Sequence, residues 1–388
     1  MQNIIPRLLM NKLFLKTLLL LQPLCTIGQV KTDRVDSLLN NSNKQHAFSG
    51  TVLIAQDGNI IFKKSYGLAD YKTKTSFIPK TTFQVASLSK QFTAFGIMLL
   101  QAAGKLKYDD RVQQYLIGFP YENVTIRQLL HHSAGLPEFW DKIRPKLNHN
   151  NSNGNKELLQ YLIDNKPPLE FEPGTKWAYA DIGYDLLAMI IENISGLTYE
   201  KFMDAKVFKP AGMKHTHALM VTDIRKIKYK YQAYGHTWLP DSNRYEYTHL
   251  LPDKDFVFYL GNFYGDGSVI TTAEDLLRWD KILYTDRLLK QEDLQAAFQP
   301  AKNLADSVII VNKASTLKPT YGFGWVLATH PTLSKMYYHN GGHPGFTSYY
   351  LRCPDKKLTV IFLCNLDSSP AVNEGKNKLL ESIYENFK

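Results

Sequence analysis

Hydrophobic and polar positions along the 388-residue chain change their period several times, and those changes mark out its elements. Apolar residues cluster or alternate over residues 50–55 and 60–65, on either side of Asp57-Gly58. Asp-Gly tolerates the positive φ angles of a tight turn, so this stretch predicts a β-hairpin, with a helix before it at 32–40. From residue 81 to about 279 the pattern is mostly that of helices, at 125–132, 156–164, 184–194 and 198–207, separated by loops rich in Pro, Gly and Asn. Strand character returns at 322–328, 335–338, 348–352 and 358–363, and a helical run closes the chain at 373–387. Strands at both ends with helices between them predict one sheet built from the two termini and a helical insertion, an α/β (α+β) architecture. The sheet domain is expected over 30–80 and 280–388 and the helical domain over 81–279, with the site where they meet.

Composition changes this picture little. With 44% hydrophobic and 21% charged residues, the chain suits an enzyme-sized globular protein of one or two domains and excludes disorder. The N-terminus runs from basic Arg7, Lys12 and Lys16 through apolar residues 17–24 to small residues near Gly28, the order of a secretory signal peptide over 1–28. Export to the periplasm or the extracellular space is the expectation; an uncleaved anchor or a lipidated Cys25 is the alternative. Loss of the leader takes the formal charge from +10 to +7. Because no basic run exceeds 225–230, nucleic acid is not the expected partner, and loose attraction to an anionic envelope is as far as the charge goes. Cys353 and Cys364 flank a turn at Pro354-Asp355-Lys356-Lys357. On hairpin strands they would sit roughly 20 Å apart, which predicts buried free thiols and no disulfide.

The chemistry begins with Phe83-Gln84-Val85-Ala86-Ser87-Leu88-Ser89-Lys90, which opens the apolar stretch 91–103. If a helix starts near Ser87, the hydroxyl and the Lys90 amine share one face, as a nucleophile and its activator require. Chance alone supplies one or two Ser-x-x-Lys spacings in a chain this long. The second, Ser315 to Lys318, is followed by Pro319, which disfavours a helix there. Taken alone, Ser87 would be read more readily as a helix cap than as a nucleophile.

Two distant stretches change that weighting. Trp177-Ala178-Tyr179-Ala180-Asp181 follows the turn Glu172-Pro173-Gly174 and offers a tyrosine able to relay a proton. His339-Asn340-Gly341-Gly342 follows a strand-like run and offers backbone that a substrate can approach closely. Ser87-x-x-Lys90, Tyr179-x-Asp181 and His339-x-Gly341, in this order, resemble the three motifs of the serine β-lactamase and penicillin-recognising enzyme family: Ser-x-x-Lys, Tyr-x-Asn and Lys/His-x-Gly. Supporting matches are the segments 50–55, 125–130, 132–137, 265–267 and 272–276, and Gly345-Phe346. The resemblance runs from about residue 48 to the C-terminus. It implies a β-lactamase/transpeptidase-like fold, an antiparallel sheet flanked by terminal helices with an inserted all-helical domain. It further implies an acyl-enzyme on Ser87, proton transfer shared by Lys90 and Tyr179, and an oxyanion hole from the N–H groups of Ser87 and Gly342. Asp181, His339, Asn340 and Gly341 would contact substrate, with no metal and no cofactor.

Two alternatives of register are weighed and set aside. Tyr121-Glu122-Asn123 matches Tyr-x-Asn literally but precedes the 125–130 helix, whereas Tyr179 has the family's following Gly-Tyr-x-Leu-Leu. His343-Pro344-Gly345 also matches His-x-Gly, but Pro344 lacks an N–H for a strand interior. The departure is Asp181 in place of Asn: a carboxylate only accepts, would pair with Lys90, and would hold the lysine's pKa up. Histidine rather than lysine in the third motif suits an esterase or a D-Ala-D-Ala-type peptidase acting on a small-molecule or peptide substrate. A β-lactamase is the alternative, and a non-catalytic peptide-binding homologue is the alternative of another class. His131-His132 and His215-Thr216-His217 tempt a metal reading, but neither spacing completes a ligand set.

Overall fold

The computed structural model describes residues 31–219 and 231–386. The leader expected over 1–28 and the basic stretch 225–230 lie outside the described residues. Seven strands form the main sheet: β1 (Gly50–Gln56), β2 (Asn59–Tyr66), β3 (Thr320–Tyr321), β4 (Val326–His330), β5 (Ser334–His343), β6 (Phe346–Cys353) and β7 (Leu358–Cys364). Their order is β2-β1-β7-β6-β5-β4-β3, every neighbouring pair antiparallel. β1 from the N-terminal part therefore pairs with β7 from the C-terminal part, Gly50 opposite Cys364 and Gln56 opposite Leu358. At the β1–β2 turn Asp57 (φ 50°) and Gly58 (φ 72°) both occupy the left-handed region, as the dipeptide predicted.

The period of two along these strands explains how the layers stack. Val52, Ile54, Val360 and Phe362 pack with Val35 and Leu39 of α1 (Thr32–Lys44) and with Leu379 and Ile383 of the closing helix. Leu53, Ala55, Ile361 and Leu363 point the other way, into the larger apolar cluster of the helical region. That region includes α2 (Lys90–Ala102), α3 (Asp181–Ser195) and α4 (Ala273–Ile282); the closing helix is α5 (Pro370–Glu385). The central strands are covered on both faces, which is why β6 and β7 are buried at every position. α4 is locked to the sheet by Asp280, which accepts from Tyr350 (2.9 Å) and Thr359 (2.6 Å) and pairs with buried Arg352 at 3.1 Å.

Several boundaries differ from those the pattern predicted. α2 begins at Lys90, and Ser87 lies in a 3-10 turn, Ala86–Ser89, just before it. α3 starts at Asp181 rather than at 184, because Ala180 is extended and an acid in the first turn suits the helix dipole. The strand expected over 322–328 is broken. Gly322 N–H donates to Trp325 O at 2.8 Å, and Gly324 turns at φ 75°, where a Cβ would lie 2.7 Å from the nitrogen of Gln91. β4 starts only after this turn. The helical region also holds short strands at Phe83–Gln84, His217–Ala218 and Val269–Thr271, which form one small sheet, and a hairpin of His236–Leu239 with Arg244–Tyr247. Pieces of two to four residues are too short to show a period. Cys353 and Cys364 are buried free thiols, facing Leu358 and Thr347 across the sheet. Among the described residues no helix is long and apolar enough to cross a membrane.

Candidate active site

The turn that carries Ser87 is held from two sides. Val85 N–H donates to Val269 O at 3.0 Å, and Ser89 Oγ accepts from Val269 N–H at 2.9 Å. From the sheet, Ser348 Oγ donates to Val85 O at 2.8 Å. Ala86, immediately before the serine, has φ 48°, a left-handed conformation that costs a non-glycine residue about 1 kcal/mol or more. β5 reaches this turn because position 341 has no side chain: a Cβ on Gly341 would lie 2.2 Å from Val85 O. Gly342, the next residue, faces open space and lines the same cavity as Ser87.

Lys90 follows one turn after Ser87 and is fully buried. Its ammonium has three hydrogens and three acceptors: Ser87 Oγ at 3.2 Å, Asp181 Oδ1 at 2.7 Å and the Asp266 carbonyl at 3.0 Å. Burial works to lower the lysine's pKa, but the charge of Asp181, with Tyr179 and Asp266, overcomes it and holds the pKa well above the ordinary lysine value. Lys90 is thus a saturated cation that donates to the serine oxygen. The pairing with Asp181 expected from the substituted second motif is present.

Tyr179 lies over the lysine, its ring centre 4.9 Å from Nζ. One side of the residue is exposed, 39% overall, while its hydroxyl end is buried against Lys90 and the Ser87 hydroxyl. Burial pushes the phenol up to about 12, with Lys90 working the other way. Behind it stands His132, its ring 4.4 Å from that of Tyr179. His132 Nδ1 accepts from Ala180 N–H at 3.2 Å, so Nε2 carries the hydrogen, and it has no hydrogen-bond partner among the described residues. Burial, then the charge of Lys90, keeps this ring neutral.

His339 on β5 is buried, and both of its nitrogens are engaged. The Asn340 carbonyl can only accept, so Nδ1–H donates to it at 2.6 Å, and Nε2 accepts from the Tyr321 hydroxyl at 2.9 Å. Burial and the nearby Lys90 charge lower its pKa to about 4. Asn340 is exposed on the strand's other face and does not line the cavity. His343, the alternative set aside in the sequence, does line it, as does Gly342.

The cavity has a volume of about 410 Å³. Its apolar wall comes from Phe139, Trp140, Phe256 and Phe263, with the Trp140 and Phe256 ring centres 5.2 Å apart. Sequence reasoning missed this wall, which the segments 139–140 and 256–263 assemble, and it missed the carboxyl Asp185, while Asp266 entered it only as part of the match at 265–267 and with no role. Asp185 was within reach of the pattern, since it stands four residues after Asp181 on one helix and so on the same face. Tyr121 is elsewhere, its hydroxyl donating to Pro167 O at 2.6 Å. His131 Nδ1–H donates to Tyr321 O at 3.1 Å, and no group of metal-ligating side chains occurs among the described residues.

A nucleophile turn ahead of a helix, a buried lysine beneath it, a tyrosine over both and a sheet strand along the opposite edge define a recognised class: the chain belongs to the Beta-lactamase family, whose model matches residues 35–385. Among individual proteins, it is similar to penicillin-binding protein 4* of Bacillus subtilis, 34% identical over 355 residues that cover 92% of this chain and 76% of that protein. A penicillin-binding protein of Bacillus halodurans superposes with a TM-score of 0.72 at 25% identity, over 89% of this chain and 98% of that one. EstCE1, a hydrolase with promiscuous acyltransferase activity, has a TM-score of 0.73 over 91% and 98% of the two chains; at 19% identity this likeness concerns the fold alone.

Proposed function

We propose that the protein is an exported serine hydrolase that forms an acyl-enzyme on Ser87 and cleaves an ester or peptide bond. The observation that carries this reading is the saturated ammonium of Lys90 donating to Ser87 Oγ at 3.2 Å. Because that hydrogen bond occupies a lone pair of the serine oxygen, the serine's own proton is free to leave toward Tyr179, the other polar group at the hydroxyl. In the acylation step the Oγ–carbon bond forms as the proton passes to the phenolate form of Tyr179, which Lys90 stabilises. The same proton then goes to the leaving oxygen or nitrogen as the scissile bond breaks, and a water molecule repeats the sequence to release the acid. The N–H groups of Ser87 and Gly342, two residues that line the same cavity, would be the donors to the oxyanion. Asp181 keeps Lys90 charged, so the lysine acts as a fixed cation and Tyr179 as the base.

Preference for substrates without a carboxylate beside the scissile bond, such as simple esters, over β-lactams is supported by His339. A ring that is neutral and bonded at both nitrogens offers no cation to a substrate carboxylate, which a lysine at that position would. The test is covalent labelling with a fluorophosphonate and a fluorescent penicillin, followed by intact mass of wild type and Ser87→Ala. A single adduct on wild type that Ser87→Ala lacks is expected. Absence of any adduct with every acyl donor would instead leave a non-catalytic binding protein. Turnover of p-nitrophenyl esters, nitrocefin and D-Ala-D-Ala peptides then ranks the substrates, with the esters expected first.

A further inference from the structure

One residue touches the Tyr179 segment on both sides of the phenol. His132 has φ 55°, a left-handed conformation that a residue with a side chain adopts only at a cost. With the chain turned this way, its carbonyl accepts from Ala178 N–H at 3.0 Å and its ring Nδ1 accepts from Ala180 N–H at 3.2 Å. Those two amides flank Tyr179. Neighbouring links between the same segments are made by backbone alone: Gly174 N–H donates to Ser133 O and Glu170 N–H to Gly135 O, both at 2.8 Å. They do not depend on side chains, whereas the Ala180 contact needs an acceptor at position 132.

The His132 ring is 2% exposed, its centre 4.4 Å from that of Tyr179, 5.1 Å from Tyr184 and 4.7 Å from Tyr321. Its Nε2–H is buried with no hydrogen-bond partner among the described residues, which opposes stability. Among three tyrosine rings an apolar residue would pack without that penalty. A strained backbone and an unpaired interior donor mark a residue kept for something other than packing. The contact also needs a neutral ring, since a proton on Nδ1 would face Ala180 N–H donor to donor; burial and the Lys90 charge keep it off.

We infer that His132 is a positioning residue for Tyr179: its carbonyl and Nδ1 fix the amides of Ala178 and Ala180 and so hold the phenol over Lys90 and Ser87. For its effect on rate this rests on the reading of Tyr179 as the base, but the placement of the phenol can be measured without chemistry.

His132→Asn keeps an acceptor as many bonds from the backbone as Nδ1 and tolerates the left-handed conformation, while His132→Gly tolerates it and removes the acceptor. His132→Ala removes the acceptor as well and takes the place of the glycine variant should that not fold. In turnover of a p-nitrophenyl ester, His132→Gly is expected to lower kcat/KM at least tenfold, through kcat, and His132→Asn to restore most of the loss. In a Tyr179→Phe background the same glycine change is expected to cost less than about threefold, because no base is left to misplace. An equal loss in both backgrounds, or a glycine variant as active as wild type, overturns the inference. Placement is read by fluorine NMR of 3-fluorotyrosine introduced at position 179. One narrow resonance is expected for wild type and His132→Asn, and a shifted, broadened or split one for His132→Gly. If no acyl donor labels wild-type Ser87, that spectral difference keeps the positioning role and removes the hydrolase reading; labelling of Ser87 with an unchanged resonance in the glycine variant does the reverse.

Discussion

Ser87, Lys90 and Tyr179 divide their roles through hydrogen-bond capacity rather than through proximity alone. An ammonium with three acceptors at 3.2, 2.7 and 3.0 Å has no lone pair to offer, so in the proposed mechanism proton abstraction is assigned to the phenol. Three outcomes follow at this scale. Tyr179→Phe is expected to lower the acylation rate by about 10²–10⁴-fold, the range for loss of a general base, with Lys90 still in place. Since burial holds the phenol near 12, only a small fraction is ionised at neutral pH, and kcat/KM is expected to climb steadily from pH 6 to 9. A flat profile across that range would count against the tyrosine as base. His339 gives the third outcome. Its pKa is lowered from 6.5 to about 4, so its neutral form stabilises the fold fully above pH 6.5, and that stability is lost as the pH falls through 4. The loss reaches up to about 3 kcal/mol at the acid limit. In urea titrations at pH 7 and 4.5, His339→Gln should lose less stability than wild type over the same interval.

Between elements, the site depends on how closely a strand can approach a turn. β5 passes Val85 with no side chain at position 341, and a Cβ there would meet the carbonyl of Val85 at 2.2 Å. Gly341→Ala must therefore push the strand away from the nucleophile turn. The expected result is a drop in kcat/KM of at least tenfold, with a loss of about 1–3 kcal/mol in thermal or urea unfolding from overpacking. Gly342→Ala meets nothing within 4 Å and serves as the control, expected to leave stability close to wild type. The hairpin at Asp57-Gly58 and the antiparallel return at 354–357 were legible because turn chemistry is local. The break at 322–325 was not, since it exists to let Gly324 pass the start of α2, a residue more than 200 positions away.

For the whole molecule, the decisive feature is that the sheet and the helical region share one apolar cluster and one buried ion pair. Asp280 of α4 faces Arg352, Tyr350 and Thr359 of the sheet in the interior, with almost no exposed surface. Asp280→Asn leaves the guanidinium uncompensated and is expected to cost about 3–5 kcal/mol in equilibrium unfolding, while replacing the pair together by apolar residues should recover much of it. Because α4 and α2 pack together through Trp279 and Phe92, ring centres 5.0 Å apart, the same variant should also lower activity by loosening the ground under Lys90.

How far the sequence reached follows from which interactions are local. Periods of two and 3.6 located the terminal strands, the closing helix and the apolar α2, and three short motifs offered Ser87, Lys90, Tyr179, Asp181, His339 and Gly341 as candidates, because residue types at short spacings are local to the sequence. Asp181 in a position that usually holds an amide was enough to foresee its bond to Lys90. Only the tertiary structure decided that Asp185 and Asp266 join that pair, that the His339 ring is closed off at both nitrogens while His343 lines the cavity, and that aromatic residues from two distant segments, 139–140 and 256–263, wall it. Those outcomes are set by which distant groups are buried together, and burial is a property of the packed chain that no period along the sequence contains.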